Sequence, residues 1–194
     1  MIVGITGGIG SGKSVVGDIL NVLSYPVFNS DVEAKNILQS DAEVKESVIA
    51  KFGDDSFLGD LPNRPYIAEK VFTNKENLEF LNGLIHPAVQ RKFESWIKEH
   101  SESKILFKEA AILIESGAYK KVDKLILVTA DEEIRIQRVM KRDGVSKEKV
   151  LERMKNQLPD VDKMKLADYV IHNDGSESVI KQVIHILKEL NENL

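Results

Sequence analysis

The chain has 194 residues, of which 42% are hydrophobic and 30% are charged, a composition typical of one folded domain and not of a disordered or fibrous protein. Its formal net charge of −4 gives no indication of a nucleic-acid or membrane partner. Cysteine is absent from the sequence, which excludes disulfides, cysteine nucleophiles and thiolate metal sites.

The chain opens with a predicted strand and not with a targeting segment. Ile2 to Thr6 form an apolar run and the first basic residue is Lys13, whereas a secretory signal starts with basic residues and continues with a longer apolar stretch. No apolar run approaches the roughly 18–20 residues that a membrane-spanning helix needs. We therefore expect a cytoplasmic protein.

Short apolar runs alternate with helical stretches along the chain, which is typical of βαβ units and a mostly parallel sheet. After the first strand, apolar residues recur with helical spacing from Val15 to Leu23. The further predicted strands are Val27–Phe28, Ile105–Phe107, Leu125–Val128 and Tyr169–Ile171. A last helix is expected to start at Ser176. This pattern predicts an α/β fold.

Two stretches interrupt the alternation. The section from about 31 to 100 has helical patterning and no convincing strand, so we interpret it as a helical insertion between the second and third strands. Three prolines mark the expected helix boundaries in this section: Pro62, Pro65 and Pro87. Residues 131 to about 158 form a second predicted helical excursion, which turns at Asp143-Gly144.

The segment Gly7 to Ser14 matches G-x-x-x-x-G-K-[ST] between a predicted strand and a predicted helix. Glycines let consecutive N–H groups turn around phosphate oxygens, and the following helix directs its positive end at the same anion. Lys13 can reach the β- and γ-phosphates of ATP, and the Ser14 hydroxyl is suited to Mg²⁺. The residues expected to contact the nucleotide here are Gly8, Ile9, Gly10, Ser11, Gly12, Lys13, Ser14 and Val15.

Two carboxylates follow predicted strands and have two interpretations each. Asp31 comes after the second strand, where a P-loop fold places residues next to the transferred phosphate. It could accept the proton of a substrate hydroxyl or help hold the metal, and it could equally cap the helix after it. Glu109 closes the third strand and could hold metal-bound water or be an ordinary strand-end acid.

Arginines predict a lid over the nucleotide. Arg135, Arg138 and Arg142 share one helix face by their spacing, and Arg153 lies on the next helical stretch. The planar guanidinium can bridge phosphate oxygens, and a closing lid would exclude water from the reaction. The alternative is surface charge. D-x-x-G and N-K-x-D motifs are absent from the sequence, which counts against a GTPase.

Further motifs continue to the end of the chain. They are VFNSD (27–31), LNGLIHP (81–87), ILIESG (112–117), RVMKRDG (138–144), RMKNQ (153–157) and ADYVIHNDGS (167–176). Together with the opening IVGITGGIGSGKS, they resemble the dephospho-coenzyme A kinase family, which belongs to the P-loop group of nucleoside-monophosphate-kinase-like enzymes. The sequence departs from the family pattern at Asn29, where an Asp is usual, at Lys35, at Ala111 and at Glu109.

The resemblance implies transfer of the γ-phosphoryl group of ATP to the ribose 3′-hydroxyl of dephospho-CoA, giving CoA and ADP in the last step of coenzyme A biosynthesis. The implied fold is a P-loop three-layer sandwich with a five-stranded parallel sheet. The core would comprise about 1–30, 101–130 and 159–194, with a helical CoA-binding region at about 31–100 and a lid at about 131–158.

The resemblance also implies roles for single residues. Lys13 and Arg138 would be catalytic, and Asp31 would be the general base or would orient the substrate hydroxyl. The remaining roles are Arg142, Asn173 and Gly175 for ATP, His86 and Glu115 for dephospho-CoA, and Ser14 for Mg²⁺.

Two other functions remain compatible with the phosphate loop. One is a kinase for another small alcohol or nucleotide, and the other is a nucleotide-dependent binding switch for a protein partner. The arginine lid favours a kinase, because a switch has no need to shield phosphoryl transfer from water. We expect a monomer or a weak homo-oligomer.

Overall fold

A computed structural model of the chain describes residues 1–72 and 74–194. The chain forms two compact units, one comprising Met1–Asn29 with His100–Leu194 and the other Ser30–Glu99. In chain order the strands and α-helices are β1 (Ile2–Thr6), α1 (Lys13–Val22), β2 (Val27–Asn29), α2 (Ser30–Ser40), α3 (Ala42–Phe52), β3 (Phe57–Leu58), β4 (Leu61–Pro62), α4 (Arg64–Phe72), α5 (Lys75–Glu99), β5 (Leu106–Glu109), β6 (Lys124–Thr129), α6 (Glu132–Asp143), α7 (Lys147–Lys155), α8 (Asp160–Met164), β7 (Tyr169–His172) and α9 (Val179–Glu192). Short 3-10 helices cover Asp54–Ser56 and Ala118–Lys121.

The first unit is built on a sheet of five strands in the order β2-β5-β1-β6-β7, and all four pairings are parallel. Each of the five predicted strands is present, so the predicted α/β fold with a five-stranded parallel sheet is confirmed. Because the strands are parallel, their carboxyl ends lie along one edge of the sheet, which is where ligands bind in such folds. The phosphate loop leaves this edge from the central strand, β1.

Helices α1 and α9 cover one face of this sheet. Their apolar residues recur every three or four positions and are buried against strand residues: Val16, Leu20, Val183, Ile186, Leu187 and Leu190. Burial of such a side chain stabilises a fold by about 1.5–3 kcal/mol. The other face packs Leu113 and Ile114, from the loop after β5, against Leu125. The sheet is therefore packed on both faces, and the loops that follow its strands start from a well-buried core.

The predicted start of the last helix at Ser176 is wrong. The helix begins at Val179, and the Ser178 hydroxyl caps it by accepting a hydrogen bond of 3.4 Å from the N–H of Lys181. Ser176 is held in the preceding turn, where the Asp174 carboxylate accepts from both its N–H (2.9 Å) and its hydroxyl (2.5 Å). This side-chain turn competes with the helix for Ser176.

The second unit is mainly helical. Within it, α2 and α4 pack against the long helix α5. The expectation of no strand is wrong, because β3 and β4 form an antiparallel hairpin. Each of these strands has two residues, too few for an alternating pattern to be visible. Among residues 1–72 and 74–194, no helix combines the length and the apolar character that crossing a membrane requires.

Two prolines of the second unit differ in how their predicted positions compare with the structure. Pro65 is the second residue of α4, a favourable position because the first N–H groups of a helix have no partner within it. Pro87 lies inside α5 and not at a helix boundary as predicted. Buried residues on one face of α5, including Ile85, Val89 and Phe93, supply packing that outweighs the hydrogen bond lost at the proline.

Candidate active site

The phosphate loop joins the carboxyl end of β1 to the first turn of α1. Within the loop, the N–H of Ser11 donates to the Gly8 carbonyl oxygen at 3.1 Å. Helix α1 starts directly at Lys13, and no side chain of the described residues caps it. Helix N-termini attract anions because their first N–H groups and the helix dipole point outward. The start of α1 therefore fits a phosphate group.

Glycine is required at two loop positions for both backbone and steric reasons. Gly10 has a φ of +80°, and a Cβ there would lie 2.5 Å from the carbonyl oxygen of Arg135. Gly12 has a φ of +96°, and a Cβ there would overlap the Asn173 side-chain nitrogen. Left-handed backbone is costly for residues with a Cβ. The glycines thus let the loop turn while helix α6 and the loop after β7 approach it closely.

Lys13 folds back over the loop. Its Nζ donates to the Gly7 carbonyl oxygen at 2.9 Å and lies 3.4 Å from that of Gly8. The Ser14 hydroxyl lies one residue further along, on an exposed residue. An ammonium and a hydroxyl at the start of a helix are the groups expected to bind a triphosphate and its metal ion.

Three side chains from distant parts of the chain form hydrogen bonds with the backbone of the loop. Asn173 donates through Nδ2 to the Ser11 carbonyl at 2.9 Å, and Arg138 donates through Nη1 to the Gly10 carbonyl at 3.4 Å. Gln157 accepts a hydrogen bond of 2.8 Å from the N–H of Ile9. Arg138 and Asn173 were predicted to be near the nucleotide. Gln157 was missed, and its place in the RMKNQ motif was the only signal of it.

Arg135 holds α6 in place and does not face solvent. Its Nη1 lies 2.8 Å from the Asp160 carboxylate, and only 8% of the residue is exposed. Thr129, the last residue of β6, donates to the same carboxylate at 2.5 Å. The Asp160 carboxylate balances the charge of this buried guanidinium, which also packs against Gly8 of the phosphate loop. Arg135 is thus a scaffold residue, and Asp160, which pairs with it, was not singled out by the sequence.

The other arginines predicted for the lid converge on one carboxylate. Arg142 donates to Asp143 at 2.7 and 3.1 Å, and Arg153, from α7, donates to the same carboxylate at 2.8 Å. These contacts join α6 to α7 across the turn at Gly144, whose φ of 64° ends α6 as predicted. The hydrogen bond from Arg142 holds the pKa of Asp143 below its ordinary value, and Arg153 adds to this effect.

Asp143→Asn is expected to lower the melting temperature at neutral pH by about 2–4 °C, because both arginines lose their ionised partner. The lowered pKa means that the stabilisation is present above the ordinary pKa near 3.8 and is lost as the pH falls through the folded-state pKa. The difference between the two proteins should therefore shrink in melts recorded from pH 7 down to pH 3. Glu152→Gln, an exposed acid on α7, is the control. A pH-independent difference would contradict the ion-pair explanation.

Glu115 pairs with a lysine that is completely buried. Its Oε1 lies 2.9 Å from Lys163 Nζ, whose side chain is 0% exposed, and it accepts a hydrogen bond of 3.1 Å from the N–H of Leu158. Lys163 Nζ has no hydrogen-bond partner among the described residues, so its attraction to Glu115 is mainly electrostatic. The pair ties the loop after β5 to α8. A contact between Glu115 and an acceptor substrate stays a prediction.

Glu115→Ala is expected to destabilise the fold by about 3 kcal/mol or more, because it leaves the Lys163 charge buried without a partner. Urea unfolding monitored by circular dichroism measures this. The double variant Glu115→Ala/Lys163→Met should recover much of the loss, since no buried charge remains. Glu133→Ala, which breaks the exposed pair with Lys147, is the control and should have a much smaller effect. Equal effects of Glu115→Ala and Glu133→Ala would contradict the prediction.

At the same edge of the sheet, Asn29 and Glu109 end neighbouring strands in register. Asn29 donates through Nδ2 to Glu109 Oε2 at 2.9 Å, and Glu109 is 5% exposed. An amide beside a buried carboxylate donates a hydrogen bond, whereas a second carboxylate would repel it. The amide at position 29 therefore gives the buried Glu109 carboxylate a hydrogen-bond donor.

The comparisons with known proteins agree with this geometry. A family model described as dephospho-CoA kinase matches residues 1–178. The chain belongs to the dephospho-CoA kinase family. The dephospho-CoA kinase of Bacteroides fragilis is 36% identical over 192 residues, which cover 99% of this chain and 94% of the relative.

The fold of this chain also resembles solved structures, one of which is a dephospho-CoA kinase. A Thermus thermophilus protein matches with a TM-score of 0.83 and 35% identity, covering 98% of this chain and 97% of its own. The dephospho-CoA kinase from Campylobacter jejuni matches with a TM-score of 0.74 and 28% identity, covering 100% and 98% of the two chains.

Two of the residues predicted for the acceptor side, Asp31 and His86, lie in the second unit. Asp31 is the second residue of α2, so it lies in the first helical turn and not at the capping position before it. His86 is an exposed residue of α5. Contacts of Asp31 and His86 with the acceptor stay predictions.

The described residues fit Mg²⁺ bound together with nucleotide and not a cage built by the protein alone. They contain no group of three or more His, Cys, Asp or Glu that could hold a metal ion. Mg²⁺ in kinases is usually bound by one or two protein oxygens, substrate phosphates and waters. The Ser14 hydroxyl and the Glu109 carboxylate are oxygen ligands of this kind, one beside the phosphate loop and one at the end of the neighbouring strand β5.

Proposed function

We propose that the protein transfers the γ-phosphoryl group of ATP to the ribose 3′-hydroxyl of dephospho-CoA and releases CoA and ADP. The observation that carries the proposal is the phosphate loop at the carboxyl end of the central strand, with Lys13 Nζ held 2.9 Å from the Gly7 carbonyl, in a chain of this family. In the reaction, the hydroxyl oxygen forms a bond to the γ-phosphorus as the bond to the β-γ bridging oxygen breaks.

Charge neutralisation on the nucleotide side is assigned to Lys13 and Arg138. The loop amides and the start of α1 would bind the β- and γ-phosphates, with Lys13 and Arg138 adding positive charge as the γ-phosphoryl group is transferred. Asn173, which donates to the Ser11 carbonyl, and the turn at Gly175 would lie towards the adenine. Arg142 would join the ATP contacts from a lid at 131–158.

The acceptor side is assigned to residues named by the family motifs. Asp31 would orient the 3′-hydroxyl and take its proton, while His86 and Glu115 would contact dephospho-CoA. Ser14 and Glu109 would hold Mg²⁺, which supplies charge neutralisation between the β- and γ-phosphates when bound. Residues 31–100 would form the CoA-binding region. We place the protein in the cytoplasm, as a monomer or a weak homo-oligomer.

The experiment that tests the function measures ADP release from Mg²⁺-ATP with and without dephospho-CoA, using Lys13→Ala as the blank. Turnover that requires dephospho-CoA and yields CoA, identified by mass, is the expected result. Tight ATP binding without acceptor-dependent turnover would refute the assignment of dephospho-CoA. It would redirect the assay to other alcohols and nucleotides, and then to a protein partner that responds to nucleotide.

A further inference from the structure

The side chain of Gln157 joins three segments of the chain at the phosphate loop. Its Oε1 accepts a hydrogen bond from the N–H of Ile9 at 2.8 Å, across 148 positions of sequence. Its Nε2 lies 3.4 Å from the carbonyl oxygen of Ala111, in the loop after β5. Gln157 itself follows the end of α7 and is partly buried. Because a backbone N–H must donate to an oxygen, the orientation of the Gln157 amide is determined.

The Ile9 N–H belongs to the same peptide unit as the Gly8 carbonyl, and a planar peptide turns as one body. At its opposite end, the Gly8 carbonyl accepts from the Ser11 N–H at 3.1 Å and lies 3.4 Å from Lys13 Nζ. Rotation of this peptide away from Gln157 would also withdraw the carbonyl from Lys13. Gln157 therefore holds, through one rigid unit, a group that positions the Lys13 ammonium.

Gln157 reaches the loop from a backbone that is itself held. The next residue, Leu158, donates its N–H to Glu115 at 3.1 Å. Asp160 accepts from Arg135 at 2.8 Å, in a pair that is largely buried. These contacts fix the chain immediately after Gln157, so its side chain does not have to order a mobile segment before it can hold the loop.

We propose that Gln157 is a positioning residue for phosphoryl transfer, which acts through the Gly8–Ile9 peptide on Lys13. Its effect on turnover rests on the proposed function. Its effect on nucleotide binding does not, because ADP binds the loop without an acceptor. The two effects can therefore be measured separately.

Two variants test the proposal. Gln157→Met keeps the length of the side chain and removes both polar atoms, and Gln157→Asn keeps the amide but is one methylene too short. Both are expected to raise the Kd for ADP by about 3–10-fold, the range for loss of one hydrogen bond, and to lower kcat. The Ile9 amide should also exchange faster with solvent in NMR spectra. The KM for dephospho-CoA should stay within about twofold of wild type.

Asn156→Ala is the matched control, because Asn156 is the exposed neighbour of Gln157 at the same helix end. It should leave ADP binding and the exchange of the Ile9 amide unchanged. ADP binding within about twofold of wild type in the folded Gln157 variants would overturn the proposal, as would an equal loss in Asn156→Ala. If the Met variant does not fold, Gln157→Asn decides. Absence of turnover in the wild-type protein would refute dephospho-CoA as the acceptor. The effect of the Gln157 variants on ADP binding would still test the positioning role of Gln157.

Discussion

Replacing Lys13 by alanine is expected to lower dephospho-CoA-dependent turnover by at least about 1000-fold. The γ-phosphoryl group carries its charge on oxygens that must be stabilised throughout the transfer, and Lys13 is the ammonium that the phosphate loop itself holds. Its Nζ is anchored by the Gly7 carbonyl at 2.9 Å, so it is preorganised and needs little rearrangement. Preorganised charge is the largest contribution to catalysis in reactions of this kind.

Steady-state kinetics of purified Lys13→Ala, with unfolding curves to show that the fold is retained, measure the effect. Lys181→Ala, an exposed lysine in the first turn of α9, is the matched control and should keep full activity. Lys13→Arg keeps the charge but places it on a planar, longer group, so we expect only partial activity. A folded Lys13→Ala protein within about tenfold of wild-type kcat would contradict the role of Lys13.

The parts of this protein that could be predicted are those determined by residues close together in the sequence. Strand β6 is a continuous apolar run bounded by polar residues, and the glycine pattern of the phosphate loop has a direct steric cause at Gly10 and Gly12. Such features depend on neighbours within a few positions. Prediction from local patterns fails for very short elements. The hairpin of β3 and β4 was missed because strands of two residues are too short to show an alternating pattern.

The contacts that hold the site together depend on residues far apart in the sequence. Gln157 contacts Ile9 across 148 positions of sequence, and Arg138 contacts Gly10 across 128. At such separations, a single sequence contains no pattern that shows which residues will be in contact. Asp160 and Lys163 were not predicted as site residues, also because their partners lie far away in the sequence. Their charges are matched only after β5, β6 and α6 have been brought together.

Residue type alone also left the roles of the charged groups open. Arg135 and Arg138 share a helix face and both lie against the phosphate loop, yet Arg135 pairs with the Asp160 carboxylate while Arg138 donates to a loop carbonyl. The two arginines differ in burial, which the helical periodicity of the sequence could not predict. Asn29 illustrates the opposite case. Its departure from the family pattern was visible in the sequence, and its hydrogen bond to Glu109 supplies a physical reason for it.

Asp31→Ala is expected to lower kcat by about 100–10,000-fold, the usual contribution of a general base. Asp31 lies two residues after the end of β2, in the first turn of α2. An ionised carboxylate at this position could accept the proton of the 3′-hydroxyl. ADP binding should change little, because Asp31 is assigned to the acceptor and not to the nucleotide.

Asp31→Asn separates the two roles proposed for this side chain. Asparagine keeps the size and can still orient a hydroxyl through its carbonyl oxygen, but it cannot take a proton at neutral pH. If Asp31 is the base, Asn and Ala should lower kcat equally, whereas if it only orients the hydroxyl, Asn should retain much more activity than Ala. Glu33→Gln, in the same helical turn, is the matched control. Near-normal kcat in a folded, ADP-binding Asp31→Ala protein would exclude both roles, because alanine has no side-chain oxygen to orient the hydroxyl or to take its proton.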